Sequence, residues 1–252
     1  MHIKEGFALA LIFMFLLPPA SSWCNPRVED PAAEVFREIY NLRFDQAHML
    51  LRNKAIDPDL REILFADLYW WEAIASNSED KFDVFLNQLA QRSKASPFWN
   101  TTSGKVVYHT YCVRTSLSKQ NFVSALSHYY TLRQSVNDLS NDPESSSDQL
   151  SAYLQYYREA LSFMELVYFR KHLDRGAQAS SQAILARIEA QSSSDDLITA
   201  SLSHYFLWKY YSESGKNSSG RIQHCKALHS LFPDNQFFRM GSAYPVEQLT
   251  IN

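Results

Sequence analysis

Residues 148–168 read Asp148-Gln-Leu-Ser-Ala-Tyr-Leu-Gln-Tyr-Tyr-Arg-Glu-Ala-Leu-Ser-Phe-Met-Glu-Leu-Val-Tyr168. Within them Leu150, Tyr153, Leu154, Tyr157, Leu161, Met164 and Tyr168 recur at steps of three and four, the longest apolar stripe in the chain. That spacing puts all seven on one side of a 3.6-residue helix. The same period extends outward in both directions. No run of five or more residues alternates with period two between strand-like boundaries, so the fold is expected to be all-α.

Composition points the same way. Only six of 252 residues are Gly, whereas 35 are Phe, Tyr or Trp. Glycine supplies the positive-φ positions of hairpin turns, bulges and phosphate-cradling loops. Its scarcity argues against a β sandwich, a β barrel or a Gly-rich nucleotide site, and no GxGxxG or P-loop occurs. A formal charge of −3 gives no electrostatic reason to expect nucleic acid as partner.

Residues 1–22 resemble a secretory signal peptide. Lys4 precedes eleven apolar residues, Phe7 to Leu17, then Pro18-Pro19 and the small residues Ala20-Ser21-Ser22 before Trp23. Eleven residues span about 16 Å as a helix, short of the ~30 Å hydrocarbon core, so a transmembrane anchor is the poorer reading. Lipid attachment at Cys24 is also the poorer reading, because Trp23 stands where a lipoprotein has Gly, Ala or Ser. The mature chain is expected to be exported, periplasmic or secreted. Cys112 and Cys225 fall within helical patterns and read as buried thiols. Asn100 and Asn217 match glycosylation acceptors.

Residues 23–31 form an irregular leader, and 32–252 read as a single helical domain with possible sub-halves 32–137 and 148–252. Helical spacing begins at Val35 and breaks near Asn41. Pro58 opens a second stretch, and Phe82, Phe85, Leu86 and Leu89 mark a third. Ser96–Thr102 reads as a loop, followed by helical patterns over Val106–Leu117 and Phe122–Val136. Asp138–Ser147 is the clearest linker. Further helices are expected near 176–190, 196–213 and 219–231, with a short one from Gln236 cut off by Gly241. The total is nine or ten helices in antiparallel hairpins.

Two hairpins share a local signature. Tyr40-Asn-Leu-Arg-Phe44-Asp-Gln-Ala47 precedes Pro58, and Lys119-Gln-Asn-Phe122-Val-Ser-Ala125 precedes Tyr129 and Leu132. Near the end stands Leu231-Phe232-Pro233-Asp234-Asn235. These segments resemble divergent tetratricopeptide-like repeats of the bacterial cell envelope, in which an aromatic, a small Ala and a closing Pro mark the second helix. The resemblance implies stacked antiparallel hairpins in an α-solenoid or superhelix. The Phe44–Phe122 interval of 78 residues is not a multiple of 34, so the repeat register stays open.

Catalytic signatures are absent from the sequence. There is no HExxH, ExxH, CxxC or GxSxG. His224 and His229 lie five apart and face different directions on a helix, so they do not clamp an ion together. Glu159 and Glu165, beside aromatics in the long helix, are candidates for the positioned acid of a glycosidase. The doublets Trp70-Trp71, Tyr129-Tyr130, Tyr156-Tyr157 and Tyr210-Tyr211 allow one ring into the core and one toward a groove. Trp70, Tyr130, Tyr156 and Tyr210 are therefore candidates for a contact surface.

The expected function is a non-catalytic, cofactor-free scaffold that binds another envelope or secreted protein through a concave aromatic face. The competing expectation is a glycan-binding protein or envelope hydrolase with one acid in a cleft.

Overall fold

The computed structural model describes residues 30–76, 78–141, 148–167, 177–214 and 218–243. These carry eleven α-helices and no strand among the described residues. In chain order they are α1 (Pro31–Tyr40), α2 (Phe44–Asn53), α3 (Pro58–Ala75), α4 (Lys81–Ala95), α5 (Thr102–Ser118) and α6 (Phe122–Asn141). Then come α7 (Asp148–Val167), α8 (Ala177–Gln191), α9 (Leu197–Ser214), α10 (Ser218–Leu231) and α11 (Gln236–Ala243). A 3₁₀ turn, Pro97–Asn100, joins α4 to α5. The signal segment 1–22 and residues 23–29 of the expected leader 23–31 lie outside the described residues, and Pro31 already belongs to α1.

Local chemistry sets many of the boundaries. Pro58 occupies the first turn of α3, and the Asp57 carboxylate accepts from the amides of Asp59 and Leu60. Thr101 accepts from the Gly104 amide and starts α5 four residues before the expected Val106. Asn121 accepts from the Ser124 amide at the start of α6. Helix α6 runs on through Asp138 to Asn141, so the first four residues of the expected linker are helical. Helix α11 likewise continues through Gly241 to Ala243, where a stop at Gly241 was expected.

The stripe of α7 is the centre of the molecule, since α7 packs against α3, α5, α6, α8 and α9. Tyr153 and Tyr157 are completely buried on it. Helices α5 and α6 form one long hairpin, α9 and α10 another. The two ends of the described chain also meet. Helix α1 touches α9, and Phe36 and Tyr40 of α1 pack on Phe232, with ring centroids 6.0 and 5.2 Å away. In an open solenoid each repeat touches only its neighbours. Here α1 is bonded to the turn between α10 and α11, which closes the arrangement.

Candidate functional site

Three groups of side chains stand out: a polar cluster inside the core, two cavities between helices, and an apolar stripe on the outside.

The polar cluster centres on Asp67 of α3, which is 4% exposed. The Tyr111 hydroxyl of α5 donates to its Oδ1, and the Tyr157 hydroxyl of α7 donates to the Tyr111 oxygen at 3.5 Å. The second carboxylate oxygen and the Tyr153 hydroxyl are both buried without a hydrogen bond of ordinary geometry. Burial pushes the Asp67 carboxyl up to about 6, opposed by the Tyr111 hydrogen bond, the Arg114 charge and the nearby Tyr153 hydroxyl. Arg114 lies over the rings of Trp70 and Tyr111, 4.3 and 5.4 Å from their centroids, and donates to the Tyr205 hydroxyl at 3.4 Å. Burial works against its charge, but Tyr156, Tyr205, Tyr111 and Tyr40 more than compensate and hold it protonated. The cluster thus joins α3, α5, α7 and α9 through one acid, one base and a set of phenols. Sequence reading missed both Asp67 and Arg114, because an isolated acid or base within a helix ordinarily faces water.

A cavity of about 90 Å³ between α7 and α9 is lined by Tyr156, Glu159, Ser203 and Phe206 among others. Glu159, the candidate acid, is 3% exposed. Its Oε1 accepts from Arg187 Nε at 2.9 Å and Gln155 Nε2 at 2.7 Å. The space is far below the ~300–1,000 Å³ of ordinary ligand pockets. The Glu165 side chain lies outside the described residues. A second cleft of about 250 Å³ runs between α5 and α6, lined by Lys105, His109, Thr131, Gln134, Ser135 and Asp138 as well as Thr102. Among the described residues no three His, Cys, Asp or Glu side chains gather as metal ligands. Cys112 and Cys225 are buried thiols, and burial pushes each up to about 12.

The expected contact residues do not share a face. Trp70 is buried at 5%, sealed between Phe82, Phe85, Tyr111 and Arg114, so it belongs to the core and not to a surface. Its neighbour Trp71 is buried as well, against Tyr40 and Phe238. Tyr156 lines the small α7–α9 cavity, and Tyr210 packs on the separate cluster of Ile188, Phe206 and Leu207. Tyr130 alone of the four is exposed, at 59%.

Of the expected repeat-signature residues, Tyr40, Ala47 and Ala125 are buried and Phe44 packs at the edge of the core. Pro58 and Pro233 sit exposed at a helix start and a turn. Phe122, by contrast, is 64% exposed. The buried line of α6 begins only at Ala125 and continues through Tyr129, Leu132, Val136 and Leu139. Phe122 therefore joins Val123 (84%), Leu126 (36%) and Tyr130 in an outward stripe along the first two turns of α6. Phe122, Leu126 and Tyr130 are spaced by four and lie above one another on the helix.

These features define an all-α protein of closed helical hairpins with a polar heart and one exposed apolar helix edge. No family model matches the chain, and neither a curated protein nor a solved structure matches it. No described helix is long and apolar enough to cross a membrane.

Proposed function

We propose that the chain is an exported, non-catalytic scaffold of tetratricopeptide-like helical hairpins, and that it binds another envelope or secreted protein through the α6 stripe. The observation that carries this reading is the exposure of Phe122, Val123, Leu126 and Tyr130 on consecutive turns of one helix. The rest of the fold buries most of its large aromatics, so four apolar side chains facing water at one edge call for a cover. Aromatic and aliphatic anchors on one face of a helix over successive turns are how an amphipathic helix enters an apolar groove on a partner. The stripe replaces the concave aromatic face expected from the doublets.

The competing hydrolase reading needs an acid open to substrate. Glu159 is committed to Arg187 and Gln155 in a cavity that holds only a few waters. The experiment is a pull-down from envelope extract with residues 23–252 as bait, wild type against the triple variant Phe122→Ser, Leu126→Ser, Tyr130→Ser. A protein retained by the wild type and lost from the variant, with helicity unchanged by circular dichroism, supports the reading. Equal capture by both removes the stripe from the interface. Hydrolysis of a wall polymer without any captured protein supports the enzyme instead.

A further inference from the structure

The two long hairpins are each closed by a pair of histidines. His109 on α5 meets His128 on α6 with Nδ1 atoms 3.0 Å apart, and His204 on α9 meets His224 on α10 at 2.9 Å. The positions correspond: the first-helix histidines are offset by 95 residues and the second-helix ones by 96. Buried positions around them match at the same offset. Tyr129, Leu132 and Val136 on α6 stand where Cys225, Leu228 and Phe232 stand on or just after α10. The hairpins are thus structural equivalents carrying the same contact at the same level.

The contact is head-on. Ring centroids lie 5.3 Å apart in the first pair and 5.2 Å in the second. Each value exceeds its Nδ1 separation by about two ring radii, so the two nitrogens point straight at each other. A tetrahedral ion at ordinary Zn–N lengths would hold the nitrogens about 3.3 Å apart with both rings turned toward it, not toward each other. At 2.9–3.0 Å one proton fits, carried as N–H by one ring and accepted by the lone pair of the other. Two neutral rings of opposite tautomer satisfy the contact, and so does a singly charged pair. A doubly charged pair has N–H facing N–H and must part.

We propose that these contacts are paired proton sites that latch the α5–α6 and α9–α10 hairpins at neutral pH and release both in acid. Their surroundings differ. At the first pair, Lys105 lies one turn before His109 and opposes its charge, while the Tyr108 ring edge abuts His109. Asp138 lines the same cleft as His109. At the second pair, Glu189 of α8 favours charge on His224 and is itself bonded by the Tyr211 hydroxyl at 2.7 Å, with the Tyr211 ring stacked on His224. Arg221, a turn before His224 on α10, acts on Cys225. His229 on α10 is directed away, its Nδ1 buried without a hydrogen-bond partner. Burial pulls all four rings below the ordinary histidine value, His109 and His204 to about 4. The Glu189 carboxylate partly offsets burial at His224.

The test is amide hydrogen exchange on the full chain between pH 7.5 and 4.5, corrected for intrinsic rates. The expected result is a loss of protection on the order of tenfold in 102–141 and 197–231 below pH 6.5, with 58–95 unaffected. Replacing both rings of a pair, His109→Gln with His128→Gln or His204→Gln with His224→Gln, should abolish the acid loss in that hairpin only. Histidine nitrogen NMR at pH 7.5 should show one Nδ1–H and one Nε2–H ring per pair, a readout independent of the variants. Uniform loss over all helices overturns the proposal, as does loss persisting in both variants. Neutral-pH protection that falls on adding a chelator would assign the contacts to a metal and overturn it too.

Discussion

Asn235 donates from its side-chain amide to the carbonyl oxygen of Tyr40, 2.7 Å away and 195 residues earlier in the chain. Asn235 is completely buried, and its Oδ1 also accepts from the amides of Phe237 and Phe238 at the start of α11. One side chain therefore closes the fold and caps its last helix. Beside it, Asp234 accepts from Arg43 Nε at 2.9 Å, a bond between half-exposed groups.

Replacing Asn235 by Ala strands a buried carbonyl and removes the cap together. The expected loss is about 2–4 kcal/mol. Arg43→Ala breaks the exposed neighbour and should cost under ~1 kcal/mol. Denaturant unfolding of the two variants checks the order; equal losses would mean that the closure rests on the surface pair.

Glu62 of α3 carries a second test. It is 8% exposed and accepts two bonds from Arg92 of α4, 2.7 and 2.9 Å, and a third from Trp99 Nε1 at 3.1 Å. The Arg92 guanidinium also lies 3.7 Å from the centre of the Phe65 ring. Arg92→Ala leaves the carboxylate buried with only the indole, and should cost about 3–5 kcal/mol. The double variant Glu62→Leu, Arg92→Met removes both charges and is expected to cost less than the single change. A double variant worse than the single would show that the pair itself stabilises beyond its desolvation.

Asp67 predicts a pH dependence of defined sign. Its folded value of about 6 is above the ordinary 3.8, so the folded state binds the proton more tightly than the unfolded chain. The associated stability is complete below pH 3.8 and is lost as pH rises through 6. Asp67→Asn cannot titrate there, so its stability relative to wild type should rise with pH across that window by about 3 kcal/mol. The histidine pairs titrate in the opposite sense: their lowered values give stability present above pH 6.5 and lost as pH falls toward 4. Because they are common to both proteins, they cancel in the difference. Urea midpoints of variant and wild type from pH 4 to 7.5 supply the measurement, and a pH-independent difference would refute the assignment.

The helices themselves were legible from residue spacing, because each buried face repeats in the sequence: Leu150, Tyr153, Leu154 and Tyr157 on α7 are buried as their period requires. Pro58 placed a helix start for a similar reason, since it suits a first turn. Eleven helices stand among the described residues, where nine or ten were expected. What periodicity does not encode is which helices meet. Asp67 and Arg114 become a pair only when α3 and α5 are packed around Tyr111, and His224 acquires meaning only opposite His204. Phe122 read as the aromatic that opens a repeat-like helix, three residues before Ala125. As the first residue of α6 it stands where α5 has already ended at Ser118, with little left to pack against.

The same limit applies to the scarce glycines and gives paired predictions of opposite sign. Gly104 lies in the first turn of α5, where a Cβ would come 2.2 Å from the Phe98 carbonyl oxygen and 2.7 Å from Trp99 Cα. Both are backbone atoms of the 3₁₀ turn, so Gly104→Ala must displace that turn, at a cost of about 3 kcal/mol. At Gly241 a Cβ would meet Cys225 Sγ at 2.8 Å and the Trp208 ring at 3.1 Å, side chains that can yield, and Ala there should cost about 1 kcal/mol. Gln120 is the converse case. It holds φ 56° in the turn after α5, where its amide bonds to Leu117 O and that of Asn121 to Ser116 O. That is the bonding of a helix C-terminus that ordinarily uses glycine. A non-glycine residue there carries about 1–2 kcal/mol of steric cost, partly offset by the smaller entropy it loses on folding. Gln120→Gly should therefore raise stability by up to ~1 kcal/mol in thermal unfolding, while Gly104→Ala lowers it. A gain at Gly104 would mean that the close approach of the 3₁₀ turn does not constrain the α5 start.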